Sequence, residues 1–357
     1  MALPTPDGVD LLDDRRPTLI AVSVVAYVLA LLGISLRLAS RRIKGLPLWL
    51  DDWLAIAALI PALGNIIAIA AYGTSHGIGQ HVWAAPPTAS YAWQLALFAS
   101  ILCYTVTLVL VKLSILAFYW KTFSVNASTR PLILALTFMT CGWGIAIIIT
   151  NCLQCQPISA LWDRYRPNNP PSPADYECNV NTRGLFIASA IPNIMVDILL
   201  MALPMPYIWR LRLPRRQKVA VGGIFAVGIF VTITSVLRLA MVINIDRSSV
   251  DVTWNYTDAG IWTIVEGNVA ILCACLVFLK PVINRLSFGL LGTTTPPNEA
   301  DSAGRQKPAW RNVSGQGSSQ ARSDGGQHPF TRLDEPDQPG RKSWIELQDV
   351  AQEVRNG

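Results

Sequence analysis

Residues 17–39 read PTLIAVSVVAYVLALLGISLRLA, and this stretch decides the fold class. Arg37 is its only charged residue. A helix needs about 20 apolar residues to cross a hydrocarbon core of roughly 30 Å. The backbone must be helical there, because lipid offers no hydrogen-bond partners to its polar groups. The stretch therefore predicts a transmembrane α-helix.

The whole chain has the composition of a membrane protein. Hydrophobic residues make up 52% of its 357 residues and charged residues 15%, and its mean hydropathy is +0.37. Soluble domains carry about 25% charged residues. Six further apolar stretches follow the first, at residues 50–72, 91–120, 131–153, 184–209, 219–243 and 260–279. The sequence predicts an all-α bundle of seven transmembrane helices over residues 17–285.

The distribution of Lys and Arg predicts the orientation of this bundle. Thirteen of them, beginning with Arg37, lie at the ends of the odd-numbered spans or in the loops that follow, whereas six lie on the other side. Because cytoplasmic loops carry the excess of positive charge, residues 1–16 form a short extracytoplasmic segment in this prediction. From about Gly292 the chain is rich in Gly, Ser, Pro and Gln, which predicts a disordered cytoplasmic tail over residues 286–357. We expect a multi-pass protein of the plasma membrane.

Four charged residues inside the predicted spans are candidates for function. They are Lys112, Asp197, Arg238 and Glu266. Each costs roughly 2.5 to 3.5 kcal/mol at a helix centre unless it is paired or hydrated. Depth along the helices pairs the first with the second and the third with the fourth, and Asn193 shares the face of Asp197. Three roles stay open: interhelical locks, a ligand or switch site, and cations that reach the membrane surface without a partner.

The turn between the first two spans reads RRIKGLPLWLDDW, residues 41–53. Its basic residues are Arg41, Arg42 and Lys44. We predict that these cations anchor the turn at anionic lipid headgroups. The carboxylates of Asp51 and Asp52 suit the amino terminus of a helix, where they cap exposed N–H groups and interact favourably with the helix dipole. The functional alternative is a conformational latch to the basic loop at residues 210–218.

The predicted outer loops contain cysteines and a glycosylation acceptor. Cys155 and Cys178 bracket the loop between the fourth and fifth spans on the oxidising side, so we predict that they form a disulfide. Cys152 competes as the partner. Asn255, in the sequence NYT, is the glycosylation acceptor that faces outside in this topology.

Two histidines, His76 and His81, lie in the Gly-rich loop at residues 73–87. They could bind a metal, but a zinc site usually needs a third or fourth ligand and none is evident nearby. The alternative is a tight return of the chain in which His81 is hydrogen-bonded at the helix ends. We predict this second arrangement and no metal.

The sequence carries no signature of an enzyme or of a cofactor site. It has no P-loop, HExxH or Rossmann motif and no Ser-His-Asp pattern. A retinal pigment needs a buried lysine near the middle of its last helix. The predicted last span has no such lysine, because Lys280 lies at its cytoplasmic edge. No nucleic-acid module is present, and membrane lipids explain the basic balance of the chain. We expect a non-catalytic protein with no cofactor and no nucleic-acid partner.

Several short motifs occur in order over residues 17–285. They are Asp51-Asp52-Trp53; Gly77, Gly79 and His81; KLSILAFYWKTF from Lys112; Cys155, Pro157 and Trp162; Cys178; Asp197; LPMPYIW from Leu203; Gln217-Lys218; Arg238; and Trp262 with Glu266. Together they make the chain resemble the fungal rhodopsin-like seven-helix family, which has receptor-like members and members encoded in mycotoxin gene clusters of the satratoxin type. The resemblance implies an integral membrane protein without an established enzymatic reaction.

The expected function follows from the topology and from this resemblance. Our first hypothesis is a receptor-like protein that binds a small molecule from the outer side and a signalling partner on the cytoplasmic side. The alternative is a membrane accessory of fungal secondary metabolism, such as mycotoxin biosynthesis. A transporter ranks third, because no pair of similarly broken spans indicates inverted repeats.

Overall fold

The computed structural model describes residues 12–123, 129–205, 215–244 and 251–276. Its helices are α1 (Arg16–Ile43), α2 (Leu50–Ile66) with a π-helix (Ile67–Gly73), α3 (Ala89–Phe123), α4 (Arg130–Cys152), α5 (Ala160–Asp163), α6 (Thr182–Ala202), α7 (Arg215–Asn244), α8 (Val252–Asn255) and α9 (Thr257–Leu276). Two short strands are β1 (Cys155–Gln156) and β2 (Glu177–Cys178). The predicted tail at 286–357 lies outside the described residues, as does most of the basic loop at 210–218.

The predicted helical membrane fold is confirmed in its coarser form. Within the described ranges, six helical segments are long and apolar enough to cross a membrane: Arg16–Ile43, Leu50–Gly73, Ala89–Thr122, Arg130–Cys152, Gly184–Ala202 and Thr253–Leu276. The apolar part of α7, Gly228–Ile243, is shorter. The predicted second span continues through Pro61 and ends as a π-helix, in which the hydrogen bonds skip one extra residue.

In this bundle large apolar side chains are exposed and charged side chains are buried, as expected for a protein surrounded by lipid. Phe138 and Ile60 are 76% and 75% exposed, whereas Asp51, Asp52 and Glu266 are 0% exposed. In water, a continuous apolar surface of this kind would be an aggregation hazard. The exposed apolar side chains therefore form the lipid-facing surface, and the interior holds both small apolar residues and paired charges.

Close approach of the helices depends on small residues. A Cβ atom at Gly144 of α4 would lie 2.5 Å from Cγ2 of Val109 in α3. Interfaces between membrane helices favour such residues, because packing at short distance replaces the hydrophobic driving force that lipid cannot supply. α2 also packs along α3, and α1 packs along α9.

One end of the bundle is organised by a disulfide-linked hairpin. Strands β1 and β2 pair antiparallel with Cys155 opposite Cys178, and the two sulfurs are bonded. This confirms the predicted disulfide, and Cys152 is a free thiol. We call this end of the bundle the hairpin end, and we call the opposite end, where α2 begins, the Asp51 end.

Removing this disulfide is expected to lower the free energy of unfolding by about 3 kcal/mol. The bond closes a loop with a sequence separation of 23, and this closure restricts the unfolded chain. Thermal unfolding of the purified Cys155→Ser, Cys178→Ser double variant measures the loss. Cys152→Ser is the matched control, since it removes a neighbouring thiol without opening the loop. Equal losses in the two proteins would show that the hairpin does not contribute through its crosslink.

Candidate functional site

The four charged residues predicted inside the spans meet in the interior of the bundle. Lys112 Nζ lies 3.0 Å from Asp197 Oδ1 and donates to Asn193 Oδ1 at 2.6 Å. Arg238 Nε lies 2.7 Å from Glu266 Oε2. Both cations are buried, so neither extends to the membrane surface.

Two uncharged side chains join the predicted pairs into one network. Asn193 Nδ2 donates to Glu266 Oε1 at 3.0 Å, and Ser235 Oγ donates to the same oxygen at 2.5 Å. We call these six residues the central network: Lys112, Asn193, Asp197, Ser235, Arg238 and Glu266. It connects α3, α6, α7 and α9, with two positive and two negative formal charges. Sequence reasoning missed Ser235, although its position three residues before Arg238 places both on one helix face.

The pairing of Lys112 with Asp197 can be tested by a double-mutant cycle. We expect that Asp197→Ala and Lys112→Ala together lose about 1–3 kcal/mol less stability than the sum of the single losses. The reason is that either single change leaves the other charge buried without its partner. The pair of Asp163 and Arg166, also 3.0 Å apart but with the Arg166 side chain 53% exposed, is the control, with an expected coupling of about 0–1 kcal/mol. Additive losses at Lys112 and Asp197 would contradict the pair.

A second set of buried charges lies at the Asp51 end. Arg37 Nη2 and Arg41 Nη2 lie 2.6 and 2.7 Å from Asp51 Oδ2. Their Nε atoms lie 2.7 and 3.0 Å from oxygens of Asp52. We call these four residues the Asp51 cluster. Two arginines of α1 thus face two carboxylates of α2, and planar guanidinium groups suit such paired contacts.

Further bonds tie the Asp51 cluster to two other helices. Arg37 Nη1 donates to the backbone oxygen of Ala274 in α9 at 3.1 Å. Ser114 Oγ in α3 donates to the backbone oxygen of Asp51 at 2.6 Å. The cluster therefore holds α1, α2, α3 and α9 together.

The cluster corrects one prediction about the first turn. Arg41 is 7% exposed and paired with carboxylates, so the prediction that it anchors the chain at lipid headgroups is wrong. Arg37, which the charge count assigned to a loop, is buried within α1. The sequence separates these arginines from Asp51 by 10 to 14 residues, and only the antiparallel packing of α1 and α2 brings them together.

The capping role of the carboxylates is visible for one of them. Asp52 Oδ2 accepts a hydrogen bond from the Trp49 backbone N–H at 3.2 Å. The latch to residues 210–218 stays a prediction, because the side chains of that segment lie outside the described residues.

His81 lies in a contact set at the hairpin end. Its Nδ1 bonds to Asp251 Oδ2, and its ring stacks on Trp254 with centroids 4.1 Å apart. Asp251 Oδ1 accepts the Val82 backbone N–H at 2.9 Å, and the Arg15 guanidinium lies 4.0 Å from the Trp254 ring. These contacts tie the amino-terminal segment, the loop after the π-helix and the segment before α9 to one another.

The other predicted residues of the hairpin end lie apart from this set. His76 Nδ1 contacts the Tyr72 backbone oxygen at 2.8 Å. Among the described residues no group of three potential ligands is placed to hold a metal ion. Asn255 ends α8 and is half-buried, and its glycosylation stays a prediction.

A cavity lies between the central network and the hairpin end. Most of its lining is apolar: Ile69, Trp93, Leu97, Ile101, Ile147, Leu185, Phe186, Val242, Tyr256, Ala259 and Gly260. Its polar lining residues include Arg238, Tyr104 and Thr105. The Arg238 guanidinium also lies 4.9 Å from the centre of the Tyr104 ring. A mostly apolar cavity with a few converging polar groups is the usual form of a small-molecule site.

Six long apolar helical segments with paired charges among them define a multi-pass membrane protein. The sequence matches the fungal rhodopsin domain over residues 36–285, and the chain belongs to this family. No solved structure matches the chain.

The curated relatives carry names of three kinds. The polyenoic acids biosynthesis gene cluster protein Ba17b of Metarhizium anisopliae is 29% identical over 74% of this chain and 73% of its own length. The SAT4 family membrane protein of Emericella nidulans is 28% identical over 60% of this chain, and the match spans about half, 52%, of its own length. Receptor GIN3 of Arthrobotrys oligospora is 24% identical over 82% of this chain and 71% of its length. The family thus includes members named for biosynthetic clusters and a member named as a receptor.

Proposed function

We propose that this chain is a receptor-like, non-catalytic membrane protein that binds a small molecule in the cavity below the hairpin end. The observation that carries the proposal is that Arg238 belongs both to the cavity lining and to the central network. A molecule bound there would contact a side chain that connects helices. Binding would then favour one arrangement of α3, α6, α7 and α9 over another, which is the requirement for a receptor.

The connection to the opposite end supports this reading. The central network includes Lys112 of α3 and Glu266 of α9, and the Asp51 cluster is hydrogen-bonded to Ser114 of α3 and to the Ala274 backbone of α9. Glu266 precedes Ala274 by eight residues. Eight helical residues span about 12 Å. A displacement of α9 at Glu266 would therefore reach the Asp51 end through a continuous helix. The Asp51 end is where we expect a cytoplasmic signalling partner to bind.

The proposed topology has seven crossings, with α7 as the sixth and its apolar part extended by residues before Gly228. The amino terminus is outside and the Asp51 end is cytoplasmic in this proposal. Without Arg37 and Arg41, which are paired in the interior, eleven cations still follow the odd-numbered spans against six on the other side. The plasma membrane is the proposed location. The proposed partners of the cytoplasmic cations are lipids and not nucleic acids.

The second candidate is a membrane accessory of secondary metabolism. The names of relatives such as the polyenoic acids cluster protein favour it. A transporter is a third and weaker candidate. Genes for polyketide, terpene or cytochrome P450 enzymes next to this one would favour the accessory reading, and uptake of a labelled metabolite into vesicles would favour transport.

A thermal-shift screen of fungal metabolites on the purified protein in lipid nanodiscs tests the proposed cavity. A ligand at 100 times its dissociation constant adds about 2.7 kcal/mol to the free energy of unfolding. We expect the Ser189→Phe variant to lose this gain, because a phenyl group at Ser189 would fill the cavity. Ser35→Phe is the matched control: Ser35 is also a helical serine bonded to its own backbone, but it faces lipid.

The outcome of the screen is decisive in either direction. Ligand stabilisation that persists in Ser35→Phe and disappears in Ser189→Phe supports the cavity as the receptor site. Stabilisation that persists equally in both variants would place the ligand elsewhere and overturn the proposal.

A further inference from the structure

Three of the residues that line the cavity each have a buried polar atom with no hydrogen-bond partner among the described residues. These atoms are Arg238 Nη2, the Tyr104 hydroxyl and Thr105 Oγ1. All three side chains are at least nine-tenths buried, at 2%, 5% and 1% exposure. The Tyr104 hydroxyl is close enough to the Glu266 carboxylate to interact with it electrostatically. Buried polar groups are nearly always satisfied, so these three indicate a site for a polar group that the chain does not itself provide.

The donors and acceptors of this site define what it can bind. A guanidinium nitrogen can only donate, whereas the two hydroxyls can donate or accept. A carbonyl oxygen has two lone pairs, and it could accept from Arg238 Nη2 and from one of the hydroxyls. A ligand group that only donates would leave the Arg238 nitrogen without a partner.

The charges around the site select against an anion. Arg238 is the charged residue of the cavity lining, and Glu266 already balances it at 2.7 Å. Lys112 and Asp197 balance each other in the same network. A carboxylate in the cavity would add an uncompensated negative charge near Glu266 in an apolar environment, where such charges are costly. A neutral acceptor satisfies the same donors without that cost.

The space in the cavity limits the size of the ligand. Between its side chains there is room for about two water molecules. The rings of Trp93 and Tyr256, with centroids 5.3 Å apart, line it. A molecule with one ring is larger than this space, so it would enter only with movement of lining side chains, and larger molecules would need more movement.

From these observations we propose that the cavity binds a compact, uncharged apolar molecule through one carbonyl-type acceptor, held by Arg238 and by the hydroxyl of Tyr104 or Thr105. This inference rests on the proposed function and specifies its ligand class. It excludes carboxylates and pure hydrocarbons as preferred ligands.

Three matched probes test the inference on the full-length protein in lipid nanodiscs: cyclohexanone labelled with carbon-13 at the carbonyl, cyclohexanecarboxylate and methylcyclohexane. Ligand-observed NMR measures their affinities, and infrared spectroscopy measures the labelled carbonyl stretch. We expect cyclohexanone to bind at least about tenfold more tightly than the carboxylate. Its carbonyl stretch should shift to lower frequency on binding, because hydrogen bonds weaken the bond.

Conservative variants identify the residues that hold the carbonyl. Tyr104→Phe combined with Thr105→Val should weaken cyclohexanone binding about three- to tenfold and leave methylcyclohexane unchanged. The control is Tyr119→Phe combined with Thr107→Val, on the same helix but outside the cavity lining, where both hydroxyls bond to backbone oxygens. These controls should leave all affinities unchanged.

Two kinds of failure are distinguishable. Tighter binding of the carboxylate, or equal binding of all three probes with no effect of Tyr104→Phe and Thr105→Val, overturns the ligand class and leaves the cavity as a receptor site. No binding by any probe also overturns the class. If the metabolite screen finds no ligand sensitive to Ser189→Phe either, the proposed function fails with it.

Discussion

Replacing Arg37 by methionine is expected to lower the free energy of unfolding by about 3–5 kcal/mol. Arg37 is 1% exposed and contacts Asp51 and Asp52 at 2.6 and 2.7 Å. Methionine keeps much of the side-chain length but removes the charge, which leaves two buried carboxylates with Arg41 as the remaining arginine. The variant also loses the bond to the Ala274 backbone oxygen and with it a link between α1 and α9.

Arg42→Met is the matched control for this change. Arg42 is on the same helix, in the last turn of α1, but it is exposed. Its replacement should cost less than about 0.5 kcal/mol. Unfolding of the purified proteins in mixed micelles with increasing dodecyl sulfate measures both losses.

A rescue variant separates charge balance from packing. Adding Asp52→Asn to Arg37→Met restores equal numbers of positive and negative charges, and asparagine can still accept the Trp49 N–H. We expect this double variant to recover part of the lost stability. If Arg37→Met costs no more than Arg42→Met, the Asp51 cluster does not hold the helices together.

Replacing Glu266 by leucine is expected to have an effect of similar size, about 3–5 kcal/mol. Glu266 is 0% exposed and accepts hydrogen bonds from Asn193, Ser235 and Arg238. Leucine would leave the Arg238 charge buried without a partner and would remove the acceptor that joins the two ion pairs. The measurement is again the free energy of unfolding in mixed micelles.

The matched control on the same helix is Asp258→Leu. Asp258 pairs with Arg15 at 2.8 Å, but its side chain is 45% exposed. Exposed pairs contribute about 0–1 kcal/mol, since water replaces the lost partner. A rescue test uses Glu266→Gln, which removes the same carboxylate. Adding Arg238→Gln to that variant should restore part of its lost stability, because both charges are then absent. Equal costs for Glu266→Leu and Asp258→Leu would contradict a structural role of the central network.

The sequence was sufficient where one physical requirement dominates. Long apolar stretches must be helical in lipid, so the helices could be located without any tertiary information. The cost of a charge in lipid marked Lys112, Asp197, Arg238 and Glu266 as residues that need partners, and the structure places each beside the opposite charge expected from depth. The disulfide followed from the oxidising side of the membrane and from the position of Cys155 and Cys178 around one loop.

The sequence misled where neighbours along the chain differ from neighbours in space. Arg41 was predicted to face lipid headgroups because it stands among other cations, yet its partners are Asp51 and Asp52 of the next helix. For His76 and His81 the prediction was a hydrogen-bonded return of the chain, but their spacing did not indicate that the partners are Tyr72 and Asp251. Local spacing carries no information about which face of a neighbouring helix a side chain meets.

The sequence by itself determined that this chain is a helical membrane protein and which charges must be compensated inside it, because the cost of polar groups in hydrocarbon depends on residue type and span length alone. Only the tertiary structure decided that Asn193 and Ser235 join two ion pairs into one network and that Arg238 also lines a cavity. Those relations depend on the rotation and spacing of four helices. The packing of many side chains determines this rotation and spacing, so they cannot be predicted from any single segment of the sequence.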